Sequence, residues 1–105
     1  MLNLKEKHLK MIQDIFIKYC PNAEIWAYGS RISGDSHTGS DLDLTIKTFN
    51  DENKHIYELK NLFEENDIPF LVDIVEFDKL SNSFQKEIEK SYFRIFPLET
   101  TENKF

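Results

Sequence analysis

The sequence predicts one small α/β (α+β) domain, built as a mixed sheet of three to four strands with helices packed mainly on one face. Three observations carry that expectation. Amphipathic stretches alternate with short apolar runs in the order helix, strand, short helix, strand, helix, strand, helix. The 105 residues suffice for a single core. No repeat or low-complexity segment interrupts the pattern.

Residues from about Leu4 to Tyr19 read as the first helix, with Leu9, Ile12, Phe16 and Tyr19 at helical spacing. Pro21 and Asn22 end it. Glu24–Tyr28 is a short strand carrying Ile25, Trp26 and Ala27, and Gly29 breaks it. Ser30–Gly34 is expected to open a short helix, and Asp35–Ser40 to form a polar loop. Asp41–Thr48 is the second strand. The next helix is expected to start at Phe49-Asn50-Asp51, with Asn50 as N-cap, and to run to about Asn66. Ile56, Leu59, Leu62 and Phe63 would face inward. Asp67-Ile68-Pro69 is a turn and Phe70–Phe77 the third strand. Asp78 is the expected N-cap of a last helix through about Lys90, with Leu80, Phe84 and Ile88 inward. Tyr92–Phe96 is extended and Pro97 stops it. Residues 1–98 form the domain, and 99–105 a polar tail.

Net charge is −6, which argues against an extended nucleic acid held in a basic groove. The lone Cys20 leaves no intramolecular disulfide and no cysteine-based zinc site; it is expected to be a buried or half-buried thiol. The N-terminus has no apolar signal core, and no apolar run approaches the roughly 18 residues of a membrane span. A cytoplasmic protein without membrane contact is the expectation.

The chemistry concentrates in Tyr28–Lys47. Ten residues separate Gly29-Ser30 from Asp41-Leu42-Asp43-Leu44. On a strand, residues two apart share a face, so Asp41, Asp43, Thr45 and Lys47 lie on one side and Leu42, Leu44 and Ile46 on the other. Two neighbouring carboxylates repel each other, and a divalent cation with hard oxygen ligands such as Mg²⁺ relieves that repulsion. A glycine-rich turn offers backbone N–H groups to a phosphate. These parts can together hold a metal–nucleoside triphosphate. The same residues also suit a surface turn leading into an edge strand.

Asp73 is a charge inside the apolar run Phe70-Leu-Val-Asp-Ile-Val-Glu-Phe77. A buried carboxylate there needs a partner. A metal shared with Asp41 and Asp43 would be one, and a salt bridge or hydrogen bond at a strand end another. Glu76 has the opposite parity and should face away.

Other residues are less specific. His37 reads as a solvated loop histidine, and His8 and His55 as exposed helical ones. Lys47 would reach a phosphate or a surface acid. Trp26 reads as core rather than as a base-stacking platform. Tyr92, Phe93, Phe96 and Leu98 suit either an interface or core packing. Nothing offers the nucleophile elbow of a hydrolase triad.

The chain resembles the DNA polymerase β-like nucleotidyltransferase superfamily, and within it the minimal nucleotidyltransferase (MNT) group. The resemblance rests on Tyr28, Gly29-Ser30, Asp41-Leu42-Asp43-Leu44 and Asp73 in Leu-Val-Asp-Ile-Val, with Arg31, Gly34 and Gly39-Ser40 as filling, and it covers nearly the whole chain. It implies the polymerase β-like nucleotidyltransferase fold and a two-magnesium site on Asp41, Asp43 and Asp73, the catalytic and metal-binding residues. It also implies that Gly29, Ser30, Arg31 and Ser40 bind the nucleotide, with ATP as substrate. An acceptor hydroxyl would attack the α-phosphorus and expel pyrophosphate.

Larger members of the superfamily carry a further substrate-binding domain, so the acceptor is expected to come from another chain. The resemblance implies a HEPN-type all-helical partner of a toxin–antitoxin pair, in which this chain, as antitoxin, transfers AMP to a toxin hydroxyl. A homo- or hetero-oligomer is compatible with that. The alternative is an interaction module that neutralises a helical partner by contact without catalysis. A small-molecule transferase would need a second domain.

Overall fold

The computed structural model describes Leu2 and residues 4–29 and 41–98. Among these lie three α-helices, α1 (Glu6–Tyr19), α2 (Ile56–Glu65) and α3 (Asn82–Lys90), and four strands, β1 (Glu24–Tyr28), β2 (Leu42–Thr48), β3 (Val72–Glu76) and β4 (Phe93–Phe96). The short helix and polar loop expected over 30–40, and the tail 99–105, lie outside the described residues.

The strands form one mixed sheet in the order β3-β2-β1-β4. β1 pairs antiparallel with β2 and with β4. β3 joins β2 in parallel, and α2 makes the connection that a parallel pair requires.

Strand alternation divides the sheet into two faces. Ile25, Ala27, Leu42, Leu44, Ile46, Ile74 and Ile95 pack with Ile12, Ile15 and Phe16 of α1 and Leu59 and Phe63 of α2 in the main core. Phe16 is the hub, with its ring edge-on to Phe63 and tilted against Phe96. Trp26, Phe77 and Ile88 form a smaller cluster, joined by Tyr28 and Leu80. α3 and the turn before it thus cover part of the second face, so the helices are not confined to one side. Phe96 is buried and Phe93 packs against the core, which gives the C-terminal aromatics a packing role.

The predicted strand β1 matches residue for residue, and β2 begins one residue later than expected. Two helix starts were misplaced. Asn50 does not cap a helix: it takes a positive φ of 52°, its N–H donates to Thr48 Oγ1, and its amide donates to Asn22 O. Asparagine tolerates that left-handed conformation and so makes a turn there. Asp51 accepts the Asn53 N–H in the same turn. α2 starts only at Ile56, where Tyr19 Oη accepts the His55 N–H and bonds Glu58, tying α1 to α2. Asp78 is likewise no cap. It sits in a 3-10 turn over Phe77–Lys79, and Ser81 caps α3 by accepting the Phe84 N–H at 3.2 Å.

Cys20 is buried, and burial pushes its thiol up to about 11. His8 is half-buried, edge-on to Phe70, and so not the exposed residue expected. Among the described residues no helix is long and apolar enough to cross a membrane.

Candidate active site

β1 ends at Tyr28, and Gly29 turns the chain with φ +85°, a conformation that L side chains rarely adopt. A second constraint acts on the same residue. A Cβ placed on Gly29 would lie 2.5 Å from Asp43 Oδ2. The turn therefore requires glycine, and any side chain there would also have to push the Asp43 carboxylate aside.

The antiparallel β1–β2 register sets Tyr28 opposite Asp43, and the parallel β2–β3 register sets Asp43 opposite Asp73. Three neighbouring strands thus present Tyr28, Asp43 and Asp73 in one row. Asp41 is exposed immediately before β2. Desolvation raises the Asp43 pKa above the ordinary carboxylate range, and the charges of Asp73 and then Asp41 add to it. Burial, followed by the charges of Asp43 and Asp73, pushes the Tyr28 phenol up to about 12.

The register thus brings Asp43 and Asp73 side by side, but Asp73 is not the buried charge expected. Asp73 is exposed, because β3 is an edge strand, so no burial penalty forces a partner on it. The burial falls on Asp43, in the strand between its neighbours. Glu76 lies on the other face as expected, opposite Ile46, and pairs with Lys79 at 3.2 Å. Among the described residues no three His, Cys, Asp or Glu side chains are assembled into a metal cluster as they stand.

Lys47, expected to reach a phosphate or an acid, instead lays its ammonium over the Phe77 ring at 4.1 Å and the Trp26 ring at 5.2 Å. Trp26 is core, as read: it stacks on Tyr92 at 3.9 Å, and its indole N–H donates to Glu24. Ser30, Arg31, His37 and Ser40 lie outside the described residues. Sequence reasoning took Tyr28 only as the apolar residue ahead of the glycine. Pairing the two strands as a hairpin would have set it beside Asp43.

The polymerase beta nucleotidyltransferase family model matches residues 10–99, and the chain belongs to that family. A probable protein adenylyltransferase MntA from Haemophilus influenzae is 33% identical over 106 residues, covering 98% of this chain and 91% of the relative. A crystal structure of a toxin–antitoxin with AMP-PNP shares the fold, with a TM-score of 0.66 at 19% identity over 90% of this chain and 76% of that one.

Proposed function

We propose that this nucleotidyltransferase moves AMP from ATP to a hydroxyl of a partner protein, as the magnesium-dependent antitoxin of a HEPN-type helical toxin. The observation that carries the reading is the pairing of Asp43 with Asp73 beside Gly29, where a side chain would displace the Asp43 carboxylate. The adenylyltransferase relative supports a protein acceptor. The toxin–antitoxin fold neighbour, which holds AMP-PNP, supports a toxin as that acceptor and ATP as donor.

The donor set fits a divalent cation. It is anionic and all-oxygen, and a cation offsets both the desolvation of Asp43 and the added repulsion from Asp73 and Asp41. Asp41 and Asp43 would hold the metal that accompanies the triphosphate, and Asp73 would join them for the second. When bound, Mg²⁺ supplies charge neutralisation on the phosphates and a lowered pKa for the acceptor hydroxyl.

The chain's own groups do the positioning, which carries most of the catalysis in this class of reaction. Gly29 would offer its backbone to the β- and γ-phosphates, and Ser30, Arg31 and Ser40, assigned to the nucleotide by the family resemblance, lie outside the described residues. Asp73 borders a cavity of about 330 Å³ at the sheet edge, lined also by Lys60, Phe63, Phe70 and Leu71. The acceptor hydroxyl enters there and gives its proton to Asp73. Its oxygen bonds to the α-phosphorus, the α–β bridging P–O bond breaks, and pyrophosphate leaves.

The test is α-labelled ATP with Mg²⁺, this chain and the helical product of an adjacent gene, read by gel and intact mass. Label on the partner in AMP steps, lost in Asp41→Ala/Asp43→Ala, is the expected result. A stable complex without transfer from any of the four nucleotides overturns the enzymatic reading and leaves an antitoxin that acts by contact.

A further inference from the structure

We propose that the cavity between the end of β1 and helix α3 seats the nucleobase of the bound nucleotide. The inference deepens the nucleotidyltransferase reading and rests on it. The cavity measures about 280 Å³ and is lined by Tyr28, Gly29, Phe84, Glu87, Ile88 and Ser91. Gly29 belongs both to this cavity and to the turn assigned to the phosphates. A nucleotide anchored by its phosphates on that turn therefore has an apolar recess directly beside it.

The walls suit a flat heteroaromatic ring. Tyr28 and Phe84 meet edge to face, with centroids 5.8 Å apart and planes at 83°. Ile88 below them is only 2% exposed, whereas Phe84, one turn earlier on α3, is 41% exposed. A large ring left that open beside a recess is free to stack on a base. The rim is polar. Glu87 bonds Lys90 at 3.0 Å on the outside, and a carboxylate has further lone pairs for an exocyclic amine. The Ser91 hydroxyl stands at the end of α3.

The second cavity, beside Asp73, is less suited to the base. It lies on the far side of the aspartates from Gly29, and Lys60, Glu64 and Asp67 give it a charged lining. The two recesses thus divide between donor base and acceptor.

The experiment compares Mg²⁺-dependent binding of ATP and of inorganic tripolyphosphate to the full chain by calorimetry. The proteins are the wild type, Phe84→Ala, Phe84→Tyr and Ser91→Trp, with folding checked by circular dichroism. Ser91→Trp fills the recess from its rim and removes nothing from the core. The expected result is ATP binding weakened about ten-fold or more in Phe84→Ala and Ser91→Trp, with tripolyphosphate unchanged and Phe84→Tyr close to wild type. Unchanged ATP affinity in both cavity variants overturns the proposal, and so does an equal loss of both ligands. A wild type that binds neither ligand overturns the nucleotidyltransferase reading itself, which is a separate outcome.

Discussion

Asp43 on β2 and Asp73 on β3 are direct partners in a parallel register, thirty residues apart in sequence and adjacent in the sheet. Folding half-buries Asp43 and also brings the like charge of Asp73 beside it, and the Asp43 pKa rises in consequence. A raised carboxylate pKa means that the native state holds its proton longer than the unfolded chain does. The associated stability is present below the unfolded pKa and is lost as pH rises through the folded one.

Asp43→Asn removes both the desolvated charge and its repulsion with Asp73. The variant is expected to be inactive in AMP transfer and more stable than wild type at pH 7. The gain is expected to be under about 1 kcal/mol, because solvent screens a group so incompletely buried. It should fall away as pH drops below the unfolded value and vanish by about pH 3, where Asp43 is protonated in both states. Urea denaturation at the two pH values checks this; a variant less stable than wild type at pH 7 would refute it.

Gly29→Ala meets two penalties. The backbone sits at φ +85°, and the new Cβ would fall 2.5 Å from Asp43 Oδ2. A cost of about 1–2 kcal/mol in stability is expected from the left-handed backbone alone. Displacement of Asp43 should lower transfer activity at least ten-fold. Thermal melting and the labelled-ATP assay measure the two effects.

Cys20 is 1% exposed, and its thiol is pushed up to about 11 by burial. At pH 8 the native protein should therefore resist a thiol reagent such as iodoacetamide for hours and react in minutes once unfolded. Mass spectrometry of the native and urea-treated protein decides it. Rapid native labelling would mean that Cys20 is accessible.

Ser81→Ala deletes the cap that accepts the Phe84 N–H. The expected loss is about 0.5–2 kcal/mol. Asp78→Ala, which removes no helix cap, should cost less than Ser81→Ala. The paired comparison by denaturant titration tests whether α3 starts at Ser81 or upstream.

Much of this was legible in the sequence for local reasons. Strand alternation put Asp41 and Asp43 on one face and Leu42, Leu44 and Ile46 in the core, because successive side chains of a strand point to opposite sides whatever the partner strand. The helical spacing of Ile12 and Phe16, and of Leu59 and Phe63, marked the faces that pack on the sheet. The glycine after β1 signalled a turn that other residues resist.

Helix starts were less legible, because several turn-forming residues compete near each one. Asn50 and Asp51 have the right chemistry for a cap, yet they close a turn fastened to Asn22, far away in sequence. Asp78 lost to Ser81 in the same way, since the chain first spends one 3-10 turn burying Phe77 against Trp26. Lys47 shares the aspartates' face, but its choice of partner depended on where Trp26 and Phe77 came to rest.

The sequence by itself determined the Gly29-Ser30 and Asp41-Leu42-Asp43 motif and the face of β2 that Asp43 uses, since those follow from spacing along one chain segment. Only the tertiary structure decided that Asp73 sits exposed on an edge strand while Asp43 takes the burial. Strand order and register are set by packing between distant segments, and an apolar run reads alike at the edge or the centre of a sheet. The same packing placed Phe84 of α3 beside Tyr28, and with it the recess next to Gly29.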